Sequence, residues 1–307
     1  MKLIKILKEN SLKYLMMKTF ARFRLCRFAF SCCRQVIYLS MTRKKLRELR
    51  ELRNISIFPN VNVEKIVEDL EQDGVVFGLN LPTAQVEEIM NYAKSGTLYA
   101  SRERDKGFEL NKYKEACDFL EKDILIAQYF NTLDECPSIL RLKNDPVLNE
   151  IALRYLKSKP TFLGTSLWWT FPAKASEEER MKHAHFFHRD VDDFKFLKFF
   201  FYLTDVQGDG EHVVVKKSHE KSIVSGVSDF IKIKRWTDAE VQKAFLGNDI
   251  VEIQGEAGTG FAENTLCVHK GKTPLNSARL LLQFEFGYHD YGVQSDQAEQ
   301  SELKRIV

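Results

Sequence analysis

The chain predicts an α+β protein in which helices of the first half flank an antiparallel double sheet of jelly-roll type. Three observations carry this reading. Apolar residues recur at helical spacing up to Pro160 and at strand spacing after it. The later strands are short, and turn formers cluster between them at Gln207-Gly-Asp-Gly210, Gly247-Asn-Asp249 and Gly255-Glu-Ala-Gly258. The composition, 44% apolar with 23 Phe in 307 residues, supplies the bulk for a sizeable aromatic core. Helices first and many short strands after is the order of an α+β fold built on two packed sheets.

The elements follow in order. Residues 42–53 carry leucines at 46, 49 and 52 between charges, which predicts a short exposed helix. It links an N-terminal extension, residues 1–55, to a body over 56–307. Residues 63–72 predict a helix stopped by Asp73-Gly74, and 75–79 a short strand. Leu81-Pro-Thr83 opens a second helix that runs to Lys94, and helical patterns recur across 113–129. Asp145-Pro146 opens another, with Leu148, Ile151, Ala152 and Tyr155 on one face. Strands are predicted over 161–171, 185–188, 196–204, 212–216, 249–254, 258–262 and 278–288. Residues 196–201 are apolar on both faces apart from Lys198, which predicts a strand covered on both sides.

The net charge of +3 hides an asymmetry. Residues 1–53 hold 15 Lys/Arg and 3 Asp/Glu, a net of +12; the remainder holds 31 basic and 40 acidic residues, a net of −9. A body at −9 argues against nucleic acid as its partner. The basic segment has no acidic residue from Asn10 to Leu46. That pattern fits organellar targeting, peripheral contact with an anionic membrane surface, or a solvated extension. Its most apolar run, Phe28-Ala-Phe-Ser-Cys-Cys33, is far short of the roughly 20 residues a bilayer span needs. The six cysteines include no C-x-x-C pair, which predicts reduced thiols and an intracellular, cytoplasmic setting.

Seven histidines are candidates for chemistry, three of them in His183-Ala-His185-Phe-Phe-His188-Arg-Asp190. Positions i and i+2 of a strand share a face, so His188 and Asp190 can grip one divalent cation side by side. His269, near a later strand, supplies a third ligand; two His and one carboxylate leave coordination positions open, as an O2-activating Fe(II) site requires. Ten residues further on, Arg279 heads the apolar strand Leu280-Leu-Leu-Gln-Phe-Glu-Phe286. A guanidinium fork there suits a carboxylate such as the far end of 2-oxoglutarate. Lys198 interrupts an aromatic strand, where it either meets an anionic co-substrate or snorkels to the surface. His185 and Trp169 are assigned to the substrate side of the pocket. Trp168 and Trp169 point to opposite faces, so only one of them can line it.

These stretches together resemble the phytanoyl-CoA dioxygenase (PhyH-like) family of Fe(II)/2-oxoglutarate-dependent oxygenases. The likeness runs over about residues 70–290, through Glu71-Gln-Asp-Gly-Val-Val-Phe77, Asp145 to Leu156, Leu167-Trp-Trp-Thr-Phe-Pro172, Phe187-His-Arg-Asp190, Phe199 to Val206, Val215 to His219 and His269 to Gln283. The resemblance implies a cupin-like double-stranded β-helix, with His188, Asp190 and His269 as iron ligands and Arg279 on 2-oxoglutarate. It implies a dioxygenase that hydroxylates a small-molecule substrate, with Fe(II), 2-oxoglutarate and O2 as cofactors and release of succinate and CO2. The chain departs from the family pattern at Gly210-Glu-His212 and Glu263-Asn-Thr265, departures expected to bear on substrate access and to touch no ligand. Two other readings compete: a catalytically inactive jelly-roll binding protein docked through its basic N-terminus, and a cupin-like metal isomerase. On charge and resemblance alone, residues 1–53 are expected to be dispensable for the chemistry.

Overall fold

A computed structural model describes residues 12–220 and 234–307. Its strands form two antiparallel sheets. The larger runs β1 (Val75–Phe77), β9 (Gly260–Glu263), β6 (Leu197–Tyr202), β11 (Arg279–Gly287), β5 (Thr161–Thr170), β4 (Ile126–Gln128), β2 (Thr97–Ala100) and β3 (Gly107–Glu109). The smaller runs β10 (His269–Gly271), β7 (His212–Val215) and β8 (Ile250–Ile253). Together they make the predicted double-sheet jelly roll with helices packed outside it.

Strand alternation assigns each side chain of the large sheet to one of two layers. Leu197, Phe199 and Phe201 of β6, with Leu280, Leu282, Phe284 and Phe286 of β11, face the helices Val63–Asp73, Thr83–Ser95 and Pro146–Leu156 in the main core. Phe200, Tyr202 and Leu281 face the small sheet with Val214 and Ile253. All of β6 is buried, as its two-sided apolar pattern predicts. The helices have local reasons to start and stop. Asn62 accepts from Lys65 N at 3.0 Å, and Gly74 ends that helix in the left-handed region (φ 79°), where a Cβ would also overlap Cys267 Sγ. Asp145 accepts from Val147 N (2.8 Å) and Leu148 N (3.2 Å) behind Pro146.

Three expectations need correction. The helical reading of 113–129 holds only for Tyr113–Leu120; Ile126–Gln128 is strand β4, paired with both β2 and β5. Strands of three or four residues, as in β2, β3 and β4, carry too few alternations to show a period, so 95–128 gave no strand signal. Residues 185–188 form no strand; Phe187 and His188 each make one isolated bridge, to Trp236 and to His269. The short helix at 42–53 is the end of one continuous helix, Arg24–Glu51.

This N-terminal part is separate in charge but not in packing. Met17 and Ala21 are fully buried with Val191, Phe196 and Leu266. Phe30 stacks on Phe194 with ring centroids 4.1 Å apart, and Arg34 donates to the Tyr288 carbonyl at 3.3 Å. Lys18 reaches Asp192 at 3.4 Å. No helix among the described residues is long and apolar enough to cross a membrane, and all six cysteines are free.

Candidate active site

Between the two sheets lies a cleft of about 200 Å³ lined by His185, His188, Asp190, Lys198, His269 and Arg279, with Trp168, Ser166 and Gln283 of the large sheet on one wall. A larger groove of about 770 Å³ runs between the helices Arg24–Glu51 and Val63–Asp73, away from these residues.

His188 and His269 come from segments 81 residues apart and are locked together by backbone. Each amide donates to the other's carbonyl at 2.9 Å, an isolated antiparallel bridge that brings the ring centroids to 4.2 Å. Asp190 N donates to Thr265 O at 2.8 Å and ties the same two segments together. His188 Nδ1 lies 3.0 Å from Phe186 O, and His269 Nδ1 lies 2.9 Å from Cys267 O. A carbonyl only accepts, so each Nδ1 carries the proton and each Nε2 presents a lone pair. Both Nε2 atoms point at Asp190, at 3.5 Å from Oδ1 and 3.6 Å from Oδ2. One ligand atom from each of the three residues falls within 4.8 Å of the others, and they are the group of this kind found among the described residues. Burial holds His269 at a pKa of about 3, so its ring is neutral and able to ligate.

The carboxylate is held from behind. Lys198 Nζ donates to Asp190 Oδ2 at 2.7 Å and to Asp192 Oδ2 at 3.0 Å, and lies 3.5 Å from Glu285. Burial would raise the Asp190 pKa, but the Lys198 ammonium outweighs it and holds the group well below the usual carboxylate range. Lys198 therefore neither snorkels nor stands free for an anionic co-substrate. Three carboxyl groups surround its single charge, and it orients Asp190. Register explains the cluster: Lys198 pairs across the sheet with Glu263 on one side and Glu285 on the other. Neither oxygen of Glu285, nor Oε1 of Glu263, has a hydrogen-bond partner among the described residues. One Lys among four buried or half-buried carboxyl groups leaves a local excess of acceptor atoms, an environment suited to a divalent cation.

Sequence reasoning missed the His212–Glu263 pair. His212 Nε2 and Glu263 Oε2 are 2.7 Å apart, and Glu263 Oε1 is 3.7 Å from His269 Nδ1. Burial lowers the His212 pKa to about 3 and raises Glu263 to about 7. The departures from the family pattern at 210–212 and 263–265 thus meet in space beside His269, and His212 itself lines the cleft. That corrects the expectation that they touch no ligand. The signal was present in the sequence as two coincident departures, but only strand pairing joins them.

Arg279 heads β11 opposite Thr170 and is buried. It donates to the Gly210 carbonyl and, at 3.3 Å, to Thr170 Oγ1, while its Nε has no partner among the described residues. Gly271 keeps the approach clear, since a Cβ there would stand 3.2 Å from Nη2. His185 lines the cleft as expected, with Nδ1 2.7 Å from Thr273 Oγ1. Trp169 does not. It is buried in the main core, stacked on Phe171, with Nε1 donating to Tyr129 Oη at 3.0 Å. Trp168 takes the wall position, because β5 pairs so that even-numbered residues face inward. Arg102 covers its ring at 5.7 Å from the tight turn after β2, where Ser101 and Arg102 both have positive φ (54° and 65°).

No protein-family model matches the chain, and no curated protein matches it in sequence. Solved structures are similar to it. One is HygX from Streptomyces hygroscopicus with nickel, 2-oxoglutarate and hygromycin B bound, at 14% identity over 73% of this chain and 86% of that one (TM-score 0.49). Another is SnoN, described as a non-heme alpha-ketoglutarate-dependent epimerase of nogalamycin biosynthesis, at 14% identity over 75% and 86% (TM-score 0.46). A third is AviO1 from Streptomyces viridochromogenes Tue57, at 13% identity over 75% and 96% (TM-score 0.47). What this cleft can do chemically rests on its own residues.

Proposed function

We propose that the chain is a non-haem Fe(II)- and 2-oxoglutarate-dependent oxygenase of the PhyH-like kind, hydroxylating a small-molecule metabolite with release of succinate and CO2. The observation that carries this reading is the convergence of two imidazole Nε2 lone pairs on the Asp190 carboxylate, with both Nδ1 protons fixed on backbone carbonyls. That donor set, facing the cleft, would suit Fe(II). Bound iron and 2-oxoglutarate would together supply O2 activation, coupled to oxidative decarboxylation of the 2-oxo acid.

The chain's own residues divide the remaining work. His188, Asp190 and His269 would hold the cation. Lys198 keeps Asp190 ionised and aimed, and also donates to Asp192 and lies beside Glu285. Arg279, with an unpaired Nε and Thr170 beside it, would clamp the far carboxylate of the co-substrate. Trp168 and His185 would face the substrate. A carboxylate at 190 fills the position that a halogenating relative leaves free for halide, which favours hydroxylation. The cofactors reported with similar solved structures, nickel with 2-oxoglutarate in HygX, agree with this assignment.

The test is direct. Anaerobic addition of Fe(II) and 2-oxoglutarate should give a weak visible charge-transfer band. Aerobic incubation should convert 2-oxoglutarate to succinate, and His188→Ala should lose both. A protein with no band, or a variant with full metal-dependent turnover, would refute the proposal in favour of an inactive binding protein.

A further inference from the structure

The outward face of the N-terminal helices is built unlike the rest of the surface. Among the described residues, ten of the nineteen exposed large apolar side chains fall between Leu12 and Met41. On the helix Arg24–Glu51, Leu25 (82% exposed), Phe28 (68%), Val36 (78%) and Ile37 (70%) stand in solvent. At 3.6 residues per turn, Leu25, Phe28, Cys32 and Val36 follow one another up the side away from Phe30 and Arg34, which grip the body. Beyond Ser40 the outward side turns basic, with Arg43, Lys44 and Arg47 exposed. An apolar stripe of this size on a folded surface marks an interaction site.

The charge of the segment selects the occupant. From Asn10 to Arg47 there are ten Lys/Arg and no Asp/Glu. A second copy meeting this one through the same patch would set basic residues against basic residues, as an isologous contact requires. An anionic lipid surface complements both features at once, taking the cations at its headgroups and the apolar side chains at the acyl boundary. The helix would lie on the membrane and not across it.

We propose that residues 12–47 dock the protein on an anionic lipid surface through Leu25, Phe28 and Val36, flanked by Arg43, Lys44 and Arg47. The inner face of the same helices stays on the body, so docking would not unpack them.

The experiment uses the full chain, with vesicles of phosphatidylcholine alone and of phosphatidylcholine mixed with phosphatidylglycerol. The protein should sediment with the mixed vesicles, more weakly as salt rises, and stay in solution with the neutral ones. The variant Leu25→Ser/Phe28→Ser/Val36→Ser should lose affinity by about tenfold or more, while its Ni(II) affinity is unchanged. Arg43→Glu/Lys44→Glu/Arg47→Glu should lose binding to the mixed vesicles by a similar factor. Failure of the parent to sediment, equal binding to both vesicle types, or undiminished binding of the apolar variant would each overturn the proposal. So would a dimer of the parent in sedimentation velocity that dissociates in the apolar variant, since the patch would then belong to a second copy.

Discussion

On β5, Trp169 turns toward the helices, where it is buried against Phe171 and Tyr129, and Trp168 turns toward the cleft, where it is half-buried beneath Arg102. Adjacent residues of one type on one strand therefore serve different ends. The same division runs along β6 and β11. The outer face, from Leu197 to Phe286, is almost purely apolar. The inner face carries Lys198, Glu285, Gln283 and Arg279 among a few aromatic side chains. Apolar burial on the outer face gives the sheet its stability, at about 25 cal/mol per Å² removed from water. That leaves the inner face free to hold buried charge, which is costly unless paired. Stability and chemistry are thus placed on opposite sides of one sheet.

Mutations can break that division if it is wrong. The largest effect is expected from Asp190→Ala. Ni(II) affinity by calorimetric titration should fall at least about a hundredfold, because changes one layer further out already cost roughly ten- to a hundredfold. Retained affinity would remove Asp190 from the centre. Trp169→Ala should cost about 3–5 kcal/mol in urea unfolding, as large aromatic truncations in cores do, with Ni(II) affinity unaltered. Lys198→Met should destabilise the metal-free protein by roughly 3–5 kcal/mol by stranding Asp190, Asp192 and Glu285. Added Ni(II) should recover part of that loss, since it binds only the folded state; a deficit indifferent to Ni(II) would separate Lys198 from the metal centre. Trp168→Ala should cost about 1 kcal/mol or less, with its effect confined to substrate KM. Smallest of all, Lys18→Met removes a partly exposed pair with Asp192 and should shift stability by roughly 0–1 kcal/mol.

The N-terminal helices sharpen the same comparison from another side. Charge alone divides the chain near residue 53, and on that basis the segment looked dispensable. Met17 and Ala21 nevertheless close a small core against Val191 and Leu266, within a few residues of Asp190 and His269. Removing the helices would uncover the back of the segments that carry the candidate ligands. Composition reports where charge lies along the chain, whereas packing depends on which side chains face inward, and here a few apolar residues among many cations do so.

Much of the candidate centre was legible because it is local. His188 and Asp190 are two residues apart, and Arg279 heads an unmistakable strand. The helix from Pro146 and the two-sided strand β6 also announced themselves, through a Pro at the first turn and an unbroken apolar run. The three-residue strands β3 and β4 did not, since their pairing partners and not their own pattern make them strands.

By itself, then, the sequence determined the α+β jelly-roll class and pointed to the three metal-ligand candidates and to Arg279 as a candidate for the clamp, because hydrophobic period and short-range spacing act within one element. Tertiary structure decided the rest: that Trp168 and not Trp169 lines the cleft, that Lys198 serves Asp190, and that His212 and Glu263 stand beside His269. Each of these depends on strand register, which sets face and neighbour for every side chain at once and arises only when segments distant in the chain pair.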